Sequence, residues 1–301
     1  MNRAERGREQ LENAITKLQP KGIDLTVFMD EEQIHRIKNA GEYRDKLIDL
    51  IENNGEKGDP LPWDALERKF EFRPSEITVW SGYKGHGKSL LISQFLENMV
   101  AKNKKVFIIS PEFPPHRVLH RMMIQEFGME HTKSFVADQW LEIVKENLWI
   151  YDQQGSLKAK DVPALCRYAI KHFNVDHILI DSLMKLGISV DDYTGQKTLV
   201  DEVQHVAHHS KTHIHIVAHG NKSNGGDEKI GNLHSVKGAS EICDLAENVL
   251  IVWRNKEKEF KNIIDSEMPD CILKVEAQRN GDGWIGQIPL FFNKATLSFK
   301  G

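Results

Sequence analysis

From about residue 75 the chain alternates short, wholly apolar runs with longer stretches of helical periodicity. Ile77–Ser81, Val106–Ser110, Leu148–Tyr151, His177–Asp181, Ile214–Ala218, Val249–Trp253 and Ile272–Ala277 are short and mostly β-branched. They are apolar on both faces, as strands buried in a parallel sheet are. Helical segments separate the first five: Lys88–Ala101, Pro115–Glu126, Val162–Phe173 and Leu199–His209. This alternation predicts a wound α/β sheet. The last strands, ending in Gln287–Phe292 and Ala295–Phe299, follow without intervening helices and predict a β-hairpin at one edge.

The first 60 residues read differently. Arg3–Leu18 predicts a polar helix, and Glu31–Ile51 a second one with Ile34, Ile37, Leu47, Leu50 and Ile51 on a broken apolar stripe. Asn53-Asn54-Gly55-Glu56-Lys57-Gly58-Asp59-Pro60 is a breaker cluster, and Pro60-Leu61-Pro62-Trp63 restarts the chain in extended form. Residues 1–60 are therefore expected to form a helical linker or oligomerisation arm, and 61–301 one α/β domain.

Composition narrows the classes. With 40 Lys+Arg against 44 Asp+Glu the net charge is 40 − 44 = −4, so nucleic acid can be met only through a local patch, not a basic coat. Three scattered cysteines without a CxxC argue against a disulfide framework or cysteine zinc site and fit a reducing cytosol. No run approaches a membrane span. Met1–Arg6 lacks the apolar core of a signal peptide, and Glu5, Glu9 and Glu12 argue against an organelle transit peptide. A cytoplasmic protein is expected. His205, His208 and His209 share a helical face, but with no HExxH and no cysteine nearby they read as structural. Lys256–Glu259 reads as a solvated turn, Lys102–Lys105 as a helix end and Trp80 as core.

One motif carries chemistry. Gly82-Tyr83-Lys84-Gly85-His86-Gly87-Lys88-Ser89 satisfies GxxxxGK[ST] at every fixed position, after a predicted strand and opening a predicted helix. Backbone N–H groups of such a loop curl round phosphate oxygens, and the helix N-terminus adds partial positive charge. Lys88 is placed for the β- and γ-phosphates of a nucleoside triphosphate, and Ser89 for Mg²⁺. Asp181, ending the apolar run His177–Ile180, supplies the acidic partner that holds the metal through water. Glu112 follows Val106–Ile109 in Ser110-Pro111-Glu112, at a strand's carboxyl end, where open α/β sheets bind ligands. A carboxylate there can polarise an attacking water. His219, after Ile214–Ala218, could sense the γ-phosphate and pass its loss to the following loop, although a buried, satisfied histidine is the simpler reading.

The ordered set resembles a known family. P-loop, Ser-Pro-Glu, Ile-Asp-Ser and Ala-His-Gly strand ends, Lys237-Gly238-Ala239-Ser240 and Arg279-Asn280-Gly281 resemble the RecA-like motor of hexameric replicative helicases. These are the bacterial DnaB, phage primase-helicase and Twinkle type, and the resemblance spans about residues 60–300. It implies a RecA-like core that moves 5′ to 3′ along single-stranded DNA as a ring, a hexamer in the family, and opens forked duplex with ATP or another NTP and Mg²⁺. Glu112 matches the catalytic glutamate, His219 the phosphate sensor and Arg279 the finger that reaches a neighbouring subunit's nucleotide. Arg254 and Phe292 match residues that sandwich the base. The loop after His219, with Asn221, Lys222, Lys229, Lys237 and Gly238, matches the segment facing DNA in the central channel. A separate primase or polymerase is an expected partner.

The chain departs from the pattern twice. Where the family has Lys-x-Arg, this chain has Ala277-Gln278-Arg279. Lys274 is a substitute cation, but its parity along a regular strand puts it on the opposite face from Ala277. About 60 residues, not a primase module, precede the motor, as in a stand-alone helicase or a fragment of a longer chain. Two rival readings use the same residues: a RecA/RadA-type recombination ATPase, and a nucleotide-dependent adaptor of a longer helicase.

Overall fold

The computed structural model describes residues 39–53, 57–189, 192–220, 230–232, 240–261 and 267–301. The chain divides after Glu56 into two units. In the first, Asn39 is extended (φ −70°, ψ 144°) and forms a capping box with Glu42, so a helical start lies here, within the single helix expected over Glu31–Ile51. Helix α1 (Arg44–Asn53) follows. Its apolar positions Leu47, Leu50 and Ile51 are 55 %, 57 % and 68 % exposed.

The second unit is built on nine described strands. A short ribbon of β1 (Asp59–Pro60) and β2 (Glu71–Phe72) precedes them. The sheet strands are β3 (Ile77–Ser81), β4 (Val106–Ile109), β5 (Leu148–Tyr151), β6 (His177–Ile180), β7 (His213–Val217), β8 (Asn248–Arg254), β9 (Cys271–Gln278), β10 (Gly286–Asn293) and β11 (Ser298–Lys300). Their order is β11-β10-β9-β8-β3-β7-β6-β4-β5. From β8 to β5 every pairing is parallel, and from β8 to β11 antiparallel. The sheet is thus mainly parallel with an antiparallel hairpin edge, as the hydrophobic pattern predicts.

Both faces are covered. One layer contains α2 (Lys88–Ala101), α3 (Pro115–Phe127) and α4 (Ser134–Val144), which pack Leu91, Phe95, Met122 and Trp140 onto Trp80, Ile108 and Leu179. The other contains α5 (Val162–Phe173), α6 (Tyr193–His208) and α7 (Ser240–Leu245), which meet Val79, Ile109 and Ile180 from below. Alternate residues of one strand serve opposite layers, the reason these runs are apolar throughout. Helix α8 (Lys256–Phe260), capped by the Asn255 side chain, stands where a solvated turn is expected and separates β8 from β9. Among the described residues no helix is long and apolar enough to cross a membrane.

The histidines of β6 and β7 are structural. Trp80 donates through Nε1 to His215 Nδ1 (3.2 Å), which fixes a tautomer whose Nε2–H points at His177 Nδ1 (3.2 Å). His177 Nε2 then donates to Asp59 (3.1 Å). Burial holds His215 well below its ordinary pKa, so its ring is neutral, and the file of hydrogen bonds ties β1 to the strand that leads into the P-loop.

The β8–β9 pairing changes one sequence expectation. Val249 faces Ala277 and Leu250 faces Val275, so Glu276 is an extra residue in a β-bulge. Val275 packs in one layer and Ala277 against the other, although they are two apart. Lys274, opposite Ile251, therefore shares a face with Ala277, opposite Val249. The parity argument against Lys274 fails because it assumes an unbroken strand; Lys274 forms an ion pair with Glu276.

One packing contact yields a pH prediction. Glu97 of α2 is buried, hydrogen-bonded to Glu126 of α3, and its carboxyl is pushed up to about 9 by burial first and by Glu126 second. Between the ordinary glutamate value of 4.5 and about 9 it stays protonated in the fold but ionises in the unfolded chain. Its contribution to stability is complete below that window and is lost as pH rises through it. Glu97→Gln is expected to raise Tm relative to wild type by an amount that grows from about pH 5 to about pH 9. A Tm difference that does not change with pH would refute this.

Candidate functional site

The P-loop leaves β3 at Gly82 and enters α2 at Lys88. Gly82, Gly85 and Gly87 take φ of 145°, 81° and 89°. At Gly82 the need is also steric, because a Cβ would sit 2.3 Å from the Val252 carbonyl oxygen. Tyr83 and His86 turn inward with their rings edge to face (5.2 Å), while Lys84 and Gly85 are exposed. Lys88 donates to the carbonyls of Gly82 (2.7 Å) and Tyr83 (3.0 Å). The Gly82 carbonyl also accepts from the Gly220 N–H (3.0 Å), directly after His219.

Two neighbouring strand ends stand beside the loop. Ser89 Oγ donates to Asp181 Oδ2 (3.1 Å), which brings the two expected metal-binding side chains together. Burial pushes the Asp181 carboxyl up to about 6; Glu112 adds to the rise, and Arg121, Ser89 and Lys88 oppose it. Burial also pulls the Lys88 ammonium down to about 8, against the pull of Asp181 and Glu112. Glu112 and Asp181 thus share one field with Lys88, from strands β4 and β6 that pair side by side. His219 Nε2 lies 3.5 Å from Ser182 Oγ, the residue after Asp181.

Arg121 is a member of this cluster that motif reading misses. It projects from α3, with its guanidinium 5.5 Å from the Phe113 ring, and interacts electrostatically with both Asp181 and Glu112. Burial lowers its pKa, and its Nε is buried without a hydrogen-bond partner among the described residues. In sequence it is one basic residue on an amphipathic helix, and only the packing of α3 beside β4 turns it towards the carboxylates.

Mg²⁺ fits the donor set. Asp181 Oδ1 is buried with no hydrogen-bond partner among the described residues, and the Ser89 hydroxyl lies against the other carboxylate oxygen. These are hard oxygen donors, and one carboxylate completed by substrate phosphates is the usual Mg²⁺ arrangement.

A pocket of about 710 Å³ opens beside the loop and brings His86, Gly87, Arg254 and Phe292 to one wall-lined space. Arg254 is tethered to the P-loop: its N–H donates to His86 Nδ1 (3.1 Å) and its guanidinium to the Gly85 carbonyl (3.3 Å). Glu259 of α8 pairs with the same guanidinium. Its lining includes His86 and Gly87 of the loop but not Lys88 or Asp181. Phe292 packs on Phe299, ring centroids 5.0 Å apart.

Arg279 lies elsewhere. Gln278 pairs with Asn248, and Asn248 with Thr78, so Arg279 is level with the start of β3, whereas the P-loop follows its end. About five residues at strand rise separate the two levels, roughly 17 Å. Arg279 is exposed, its N–H bonds the Glu247 carbonyl (2.9 Å), and its guanidinium reaches the Asp244 carbonyl. Asn221, Lys222, Lys229, Lys237 and Gly238 lie outside the described residues.

Residues 63–301 match the protein-family model described as DnaB-like helicase C terminal domain. The fold is similar to that of a solved ATPase domain, with a TM-score of 0.70 at 14 % identity over 87 % of this chain and 99 % of that one. It is also similar to a DnaB-like replicative helicase solved in a study of its interactions with primase (TM-score 0.72, 14 % identity, 89 % of this chain and 69 % of that one). The ordered strand-end motifs, the nine-stranded sheet and the family match agree, and the chain belongs to the DnaB-like helicase C-terminal domain family.

Proposed function

We propose that this replicative helicase motor domain hydrolyses ATP or another NTP and uses the energy to move 5′ to 3′ on single-stranded DNA, unwinding forked duplex as a ring, a hexamer by family resemblance. Lys88 and the P-loop N–H groups bind the β- and γ-phosphates, and Glu112 takes a proton from the attacking water. Ser89 and Asp181 would hold Mg²⁺, which when bound neutralises charge on the phosphate oxygens. Arg254 and Phe292 receive the base. The observation that carries the ring is the position of Arg279, roughly 17 Å from its own P-loop level, which suits a neighbour's nucleotide better than its own.

The shared Gly82 carbonyl supports coupling. Lys88 and Gly220 both donate to it, so a lysine drawn to phosphate changes what holds the segment after His219. That segment leads to Asn221, Lys222, Lys229, Lys237 and Gly238, proposed to track DNA phosphates in the central channel. Residues 1–60 act as a linker arm; the exposed stripe of α1 supports docking on an adjacent subunit. A separate primase or polymerase is the proposed partner, and the bacterial or phage-infected cytosol the site of action. Lys274 shares the face of Ala277, which supports it as the second cation once released from Glu276.

The test is unwinding of a forked duplex with NTP and Mg²⁺, wild type beside Glu112→Gln. Wild type is expected to unwind; the variant is expected to bind nucleotide yet neither hydrolyse nor unwind. Homologous pairing without unwinding by the wild type would overturn the helicase reading.

A further inference from the structure

We infer that Asn280 and Gly281 are positioning residues that fasten the loop of Arg279 to a buried carboxylate, Glu76, at the edge of the sheet remote from the P-loop. The inference rests on the reading of Arg279 as a cation acting on a neighbouring subunit.

Three anchors surround Arg279. Asn280 Nδ2 donates to Glu76 Oε1 (2.8 Å), while the other Glu76 oxygen accepts from Asn248 Nδ2 (2.9 Å). Glu76 is 4 % exposed, immediately precedes β3 and accepts through its carbonyl from the Ile214 N–H (3.0 Å), so the anchor is held at the start of the sheet. Gly281 takes φ +73°, and a Cβ there would lie 2.3 Å from Arg73 Nη2. The Arg73 guanidinium therefore packs directly over the backbone at Gly281; a Cβ would displace it, and the positive φ itself favours glycine. The third anchor is the Arg279 N–H on the carbonyl of Glu247, whose carboxylate is in turn held by the Ile77 N–H (2.8 Å).

The side chain of Arg279 is treated differently from its backbone. It is exposed, and the Asp244 carbonyl is its only hydrogen-bond acceptor among the described residues. A fixed backbone under a lightly held guanidinium suits a group that must reach a partner with little loss of order. Burial pushes the Glu76 carboxyl up, and the Asn248 bond, the Asn280 bond and the charge of Arg73 act against that rise. None of these residues approaches the chain's own P-loop.

Rings composed only of Asn280→Ala chains are expected to hydrolyse NTP on the order of 10²-fold more slowly, because a catalytic group displaced by about 1 Å loses that much. Their affinity for a fluorescent nucleotide is expected to equal that of wild type, which also reports an intact fold. The decisive step is mixing with Lys88→Ala chains, whose P-loop is inactive but whose Arg279 loop is intact. Hydrolysis by the mixture should exceed that of either variant alone, since the neighbour supplies a well-held Arg279. Gly281→Ala should behave alike from the opposite anchor. Arg279→Ala is mixed in parallel. If it is not rescued, the trans reading itself falls. If it is rescued while Asn280→Ala is not, or if Asn280→Ala hydrolyses at the wild-type rate, the positioning role alone falls.

Discussion

A Lys88→Ala chain is expected to hydrolyse no NTP above background and to unwind nothing. Lys88 is the first residue of α2, and its ammonium lies under the loop on the Gly82 and Tyr83 carbonyls. Burial has already lowered its pKa to about 8, so the environment makes the isolated cation costly and an incoming polyphosphate a favoured partner. A preorganised donor aimed at developing charge is worth on the order of 10²–10³-fold in rate, and a buried full charge on phosphate at least that. Removing it also takes one of two cations, Lys88 and Arg121, from beside Asp181 and Glu112, which weakens binding of an anionic substrate further. The measurement is NTP turnover with and without single-stranded DNA, with thermal unfolding to check the fold. A variant that keeps a tenth or more of the wild-type rate would remove Lys88 from the proposed chemistry.

The second large effect is expected at Arg279. Arg279→Ala should lower hydrolysis by about 10³–10⁵-fold, the range of an arginine finger acting in trans, while ring assembly and nucleotide binding persist. Assembly should survive because the residue is exposed and its fold contacts are chiefly backbone bonds that alanine retains. The strand register makes the test sharp. A residue roughly 17 Å from its own phosphate loop cannot stabilise transition-state charge in its own subunit. Wild-type turnover by Arg279→Ala would therefore reject the trans assignment, whereas loss of turnover together with loss of the ring would assign Arg279 to assembly.

The P-loop was legible in the sequence because its chemistry is local. Three positive-φ glycines, an apolar run before and a helix after constrain eight consecutive residues, whatever the rest of the chain does. Glu112 and Asp181 were legible for a related reason: a carboxylate ending a short apolar run in a parallel sheet must emerge at the carboxyl edge, where such sheets bind ligands. The parallel order and the hairpin edge followed from the same periodicity. Helix α4 was not predicted, since Phe135 and Ile143 are exposed among its apolar residues and blur its stripe.

Other features depend on pairings between residues far apart in the chain. No local signal tells that Arg121 turns towards two carboxylates, because a basic residue on an amphipathic helix reads as solvated until a neighbouring strand defines what it faces. The bulge at Glu276 could not be foreseen, since a bulge exists only relative to a partner strand; it alone moves Lys274 to the face of Ala277. The same holds for Arg254, drawn to the P-loop by bonds across 168 residues to His86, and for the Glu76–Asn280 bond across 204. The layered α/β architecture and the phosphate-binding end of the sheet follow from the chain's local pattern, because backbone conformation and hydrophobic period are short-range. Which distant cations reach that end, and which, like Arg279, are carried to the opposite one, is set by folding, because strand order and register are properties of pairs of segments and not of any one of them.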